Sequence, residues 1–406
     1  MLEVQLSYRH SRGNEGSDVP RMAAGPAGGR SVALIPVWLR AFSIGLGVLA
    51  VTGALLAAAC GGDGGDSDED GAGVTTGQTK LVVNSSADAA ERDGVLTLRE
   101  AILLANGELN TSELDAEEAS QVRGDPGTES DDTVVFAEPF QHDEAIVLSE
   151  ALPPLIGGGD TINGSAAGAV VIDGGDRSFR CIEITSSGNT LLGLQIVNCR
   201  TGILVGQQAE ENRIGGSAAG EGNVISGNMV GIELRGRGNI IQGNLIGLDA
   251  SGSQPLGNEL EGIWVTPAGR QNIIGGRNPG EGNVISGNEL FGISIDGAAD
   301  NILQGNLIGL DRSGRQAVAN KYGMTVQAGA TGNVIGGGSP QERNVISGNN
   351  TGLLLRDPET SGNTVRGNYF GTDVSGDTGI GNVLDIWELE DVGDNILEEN
   401  QLREGR

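Results

Sequence analysis

The chain has 406 residues and a formal net charge of −29. That excess of carboxylates repels phosphate backbones, which excludes nucleic-acid binding as a function class. Glycine supplies 70 residues and aromatics only 3%, which excludes a core of large rings and favours a repetitive, turn-rich fold.

Residues 1–59 read as an export signal. Arg21, Arg30 and Arg40 precede an uncharged apolar run over 41–59, the layout of a basic region followed by a hydrophobic one. The run closes in Leu55-Leu56-Ala57-Ala58-Ala59-Cys60. Small residues before a cysteine resemble the lipobox of bacterial lipoproteins, which implies lipidation at Cys60 and a membrane partner through that lipid. Ala57 stands where leucine is commonest. An uncleaved anchor is the alternative, because the run approaches the ~20 residues that span a bilayer. Either way the remainder is extracytoplasmic. Met22 offers a second start.

Residues 60–79 form an acidic, glycine-rich tether, flexible and extended. It lacks the spaced ligands of a calcium loop. Residues 80–160 form a cap. Leu81-Val82-Val83 predicts a strand, and Thr97-Leu98-Arg99-Glu100 is a capping box, in which the hydroxyl and the carboxylate each serve a free N–H. Leu98, Ala101, Ile102 and Ala105 then give one apolar helical face, stopped by Asn106-Gly107. The acidic stretch 108–130 reads as a mobile insertion.

Leu96-Thr97-Leu98-Arg99-Glu100-Ala101-Ile102 with Asn106, followed by Asp131-Asp132-Thr133-Val134-Val135-Phe136 and Val170-Val171-Ile172-Asp173-Gly174, resembles the CSLREA-domain surface proteins. The resemblance covers about residues 80–200 and implies a cap leading into a β-helix at a bacterial surface. Leu96 and Thr97 replace the family's Cys and Ser, so no role of that cysteine carries over.

Internal repetition is the strongest signal. Asn-Val-Ile-Ser-Gly-Asn occurs at 223–228, 283–288 and 344–349, giving recurrences of 60 and 61 residues. A second type begins at Asn239, Asn301 and Asn363, recurring after 62 and 62. Half-units begin at Asn212, Asn239, Asn272, Asn301, Asn333, Asn363 and Asn395, each with three short β-like pieces. Three strands per turn with Gly and Asn between them predict an all-β, right-handed parallel β-helix over 161–406, its coils stacked about 4.8 Å apart. The architecture resembles the pectate-lyase-like superfamily. Repeated Asn at fixed points predicts amide ladders at the corners.

On the third strand the first and third positions after glycine are apolar and point inward. The outward positions form two rows: Glu233, Trp264, Ser294, Thr325, Leu354, Asp385 and Arg235, Thr266, Asp296, Gln327, Arg356, Trp387. Glu233, Trp264, Asp296, Arg356, Asp385 and Trp387 make the candidate ligand face: tryptophans to stack on sugar rings, carboxylates and arginine to engage hydroxyls or uronates. Glu233 and Asp296 lie two coils, about 10 Å, apart, beyond the ~6.5–9.5 Å of inverting glycosidase pairs. No convergent catalytic group, cofactor site or metal site emerges. Asp249, Asp311 and Asp373 recur before x-Ser-Gly and read as Asx turns.

Cys181 and Cys199 remain once Cys60 is lipidated. An oxidising compartment suits a bridge, but this register stacks Cys181 on Gly202 and sets Cys199 three residues off. The register disfavours the bridge and the pairing stays open. The expected function is a surface-anchored structural or adhesin-like protein binding a polysaccharide or another surface protein. A polysaccharide lyase, hydrolase or epimerase is the alternative.

Overall fold

A computed structural model describes residues 79–403, apart from 129–130, 138–144, 169 and 391. The export signal, Cys60 and nearly all of the tether lie outside the described residues.

Short strands stack into three sheets of 12, 9 and 8 strands. Among the described residues, all pairings between these strands are parallel except that of Thr79–Val83 with Val122–Arg123. Each coil contributes one strand to each sheet, which makes a parallel β-helix. The 12-stranded sheet runs without a break from Thr79–Val83 and Asp132–Phe136 into Thr161–Asn163 and on to Ile396–Glu398. The inward columns, such as Ile214, Ile241, Ile274, Leu303 and Ile335, are fully buried and fill the lumen.

Three asparagine ladders line the corners. Asn239 illustrates the rule: its N–H and its Nδ2 both donate to Asn272 Oδ1, at 2.9 and 3.1 Å, while Nδ2 also reaches Ala209 O at 3.1 Å. The same pattern links Asn223, Asn244, Asn283, Asn306, Asn344 and Asn368, and Asn228, Asn258, Asn288, Asn320 and Asn349. Buried turn groups are thereby satisfied coil after coil, where each orphan would cost about 1–3 kcal/mol.

The sixty-residue period spans two coils because successive coils carry their long loop at different corners. One coil places it between the first and second sheets, as at 215–222. The next places it between the second and third, as at 248–257. The latter loops overhang the coil between them and touch: Arg312 N–H donates to Gly252 O at 2.8 Å, and Val374 N–H to Gly314 O at 3.2 Å. Each holds the expected Asx turn, with Asp249 Oδ1 accepting the N–H of Ser253 and Gln254, both at 3.0 Å. Asp311 and Asp373 do the same work.

The cap helix runs Leu98–Ala105, with Thr97 N–H on Glu100 Oε2 at 2.9 Å and Glu100 N–H on Thr97 Oγ1 at 3.2 Å. Its four expected apolar positions are buried. The stretch 108–130 departs from the expected mobile insertion. It holds a helix, Ala116–Ala119, and a strand, Val122–Arg123. Buried Glu118 anchors it by accepting Arg92 Nη1 at 2.9 Å and Asp93 N–H at 3.0 Å.

Cys181 and Cys199 form a disulfide with Cα atoms 5.7 Å apart, which settles the pairing that the sequence left open, against the side its register favoured. Cys181 does stack level with Gly202. However, Cys199 follows Asn198 at φ +56°, so the chain turns there and folds the three-residue offset back into bridging range.

Candidate functional site

The outward face of the 8-stranded sheet carries the candidate residues. Trp264 stacks on Glu233 and on Ser294, as expected. Asp296 is the hub of the face. It accepts Trp264 Nε1 at 2.9 Å, Ser294 Oγ at 2.6 Å and Gln327 Nε2 at 2.7 Å. Arg356 Nε in turn donates to Gln327 Oε1. Glu233 is buried and accepts Arg235 Nε at 2.8 Å. Trp264, Asp296 and Arg356 therefore belong to one hydrogen-bonded lattice spanning four coils, with the Glu233–Arg235 pair beside it.

Two expected members are placed otherwise. Leu354 pairs with Trp387 and not with Asp385, a two-residue shift in the last coil. Trp387 continues the row of Trp264 and is 42% exposed. Asp385 is buried, opposite Gly352, where its Oδ1 accepts Asn382 Nδ2 at 2.9 Å and its Oδ2 accepts Arg403 N–H at 2.6 Å. The ladder asparagine fixes this register: Asn382 continues Asn349, which outweighs the apolar alternation at Leu384 and Ile386. Asp385 is a structural group.

Glu261 escaped the sequence reading. It precedes Gly262, where a Cβ would come within 2.7 Å of Gly292 O and 2.9 Å of Asn288 Nδ2. The glycine therefore faces the ladder, two successive positions turn inward, and the residue before them joins the outward face. Glu261 is pushed up to about 7 by burial, then by the charges of Asp296 and Glu233. Phe291 and Tyr322 stand in the same row, stacked with ring centroids 5.2 Å apart. The signal available in the sequence was the variable residue before each repeat glycine.

The resulting face holds carboxyls in three successive coils, Glu233, Glu261 and Asp296, each in a different row, with Trp264, Phe291 and Tyr322 on the same face. Glu233 and Asp296 are committed to donors of the protein, and Glu261 is poised to change protonation near neutrality. Among the described residues, no group of three or more His, Cys, Asp or Glu side chains could hold a metal ion.

A family model described as "Periplasmic copper-binding protein (NosD)" matches residues 147–400, well over half of the chain. The chain belongs to the NosD family. The NosD match takes in every residue of the face described above. No curated protein matches the chain.

Solved structures are similar to this chain at low identity. The Dettilon tailspike protein is 16% identical with a TM-score of 0.40, covering 68% of this chain and 56% of its own. Pectate lyase Pel9A is 14% identical with a TM-score of 0.41, covering 82% and 78%. The alginate lyase from Paenibacillus sp. str. FPU-7 is 16% identical with a TM-score of 0.34, covering 68% and 91%. This chain thus spans little more than half of the tailspike, and likeness at this level transfers no residue role.

Proposed function

We propose that this NosD-family chain is a lipoprotein anchored through Cys60 outside the cytoplasmic membrane, and that it works as a non-catalytic interaction β-helix. The family's periplasmic description, the export signal and the CSLREA-like segment support the location. The observation that carries the interaction reading is Asp296. A carboxylate accepting from Trp264, Ser294 and Gln327 is a fixed element of a preorganised surface, with its lone pairs committed. Such a face keeps its shape while a ligand docks, which lowers the ordering cost of binding.

The partner we favour is an extended polysaccharide or a surface protein laid across the face between Trp264 in one row and the stacked Phe291 and Tyr322 in the next outward row. A binding and turnover screen on glycans, with the lattice broken by Trp264→Ala and by Asp296→Ala, tests this. Binding without product release, lost in both variants, is the expected result. Binding that survives both variants would remove the face from the proposal.

The family's name raises copper. Copper sites draw on imidazole, thiolate or thioether ligands. Both histidines, His10 and His142, lie outside the described residues. Cys181 and Cys199 are bonded to one another, Met324 is sealed in the core, and half-buried Met229 is a lone thioether among the described residues, too few donors to hold copper. The described β-helix does not fit a copper site, and no step is routed through one.

A processing enzyme is the second reading, favoured by one observation. Glu261 is a carboxyl whose pKa is pushed up to about 7 by burial and then by the charges of Asp296 and Glu233, the environment that suits a general acid. Product release abolished by Glu261→Gln with binding retained would establish it.

A further inference from the structure

The first asparagine ladder does not begin with asparagine. Asp160 occupies the rung before Asn189. Its N–H donates to Asn189 Oδ1 at 3.2 Å, and its Oδ1 accepts Asp132 N–H at 3.1 Å, as the amide oxygens do in later rungs. In those rungs the side-chain nitrogen donates onward, as Asn189 Nδ2 does to Asn212 Oδ1 at 2.9 Å. Asp160 Oδ2 takes that nitrogen's place. The residue is 1% exposed, and this oxygen has no partner.

An ionised carboxylate cannot fill the part. It is an acceptor only, and the ladder asks for a donor at this atom. A neutral carboxylic acid has one O–H to give and supplies it. The surroundings favour that form. Burial first, then the charges of Asp132 on the adjoining strand and of Asp131 just before it, push the group up to about 7. From the other elements the contributors are neutral: Asn189 ahead of the next rung, and the Ala105 carbonyl, which flanks the same space over Gly157. Among the described residues, no cation contributes.

We propose that Asp160 is held as a neutral acid standing in for an asparagine, and that its ionisation loosens the seam between the cap and the first coil. The seam comprises Asp132–Phe136 and Thr161–Asn163. It is a pH-sensitive latch: closed in mildly acidic surroundings, weakened in alkaline ones. Nothing in it depends on what the outward face binds.

The test is hydrogen exchange on the purified full chain at pH 5 and pH 8.5, corrected for the intrinsic rate. The seam amides of the wild type should exchange at least tenfold faster at the higher pH, while distant coils change little. Asp160→Asn, which supplies the donor permanently, should remove that difference. Asn189→Asp should create a second pH-sensitive rung one coil on. Equal pH dependence in wild type and Asp160→Asn would overturn the latch, as would an Asn189→Asp chain with no added sensitivity.

Discussion

The carboxylate of Asp385 accepts the side-chain amide of Asn382 at 2.9 Å and so ends the third asparagine ladder. Every earlier rung hands that amide to another asparagine. In the last coil an aspartate at the position of the repeat glycine receives it, together with Arg403 N–H. Asp385→Ala should loosen the final coil by about 1–3 kcal/mol, the cost of leaving buried donors unmet. Hydrogen exchange at Leu384–Glu388 measures it, and protection equal to wild type would refute the capping role.

Interior rungs should be dearer than terminal ones. Asn272 accepts from Asn239 and donates to Asn301 Oδ1 and Gly236 O, so Asn272→Ala breaks the ladder on both sides. Asn400 is the last rung of its ladder and is only part-buried. Denaturant unfolding should place Asn272→Ala at least about 2 kcal/mol below Asn400→Ala, given the penalty for orphaned buried groups.

Glu261 makes stability fall as pH rises. Its pKa in the folded chain is about 7 against an ordinary 4.5, so the folded state holds the proton more tightly. Its contribution is fully present below about 4.5 and is lost progressively as pH rises to about 7, up to ~3 kcal/mol at ~1.4 kcal/mol per pH unit. Thermal unfolding of Glu261→Gln between pH 4 and 8 should show that part of the slope gone. Asp160→Asn should remove a separate part, centred on the cap.

Reduction of the Cys181–Cys199 bridge, which closes a loop of sequence separation 18, should cost about 3 kcal/mol on the loop-entropy scale. Paired Cys181→Ser and Cys199→Ser substitutions should reproduce the loss. The Met229 and Gly174 corner, beside Cys199, should lose hydrogen-exchange protection first.

The coil, its three strands, the asparagine ladders, the cap helix and the stacking of Glu233, Trp264 and Ser294 were all legible in the residue pattern of the chain. Stacking converts a repeat along the chain directly into adjacency along the axis, so periodicity is enough to read it. Tertiary structure decided what happens across the face and at the corners. The Asp296 lattice depends on side chains reaching between rows, and Glu261 reaches the face only because a glycine yields to the Asn288 amide. Cys199 meets Cys181 through a left-handed turn at Asn198, and Asp385 leaves the face because Asn382 pins its strand. None of these contacts has a period, and each is settled by local turn geometry and by the need to pair buried polar groups.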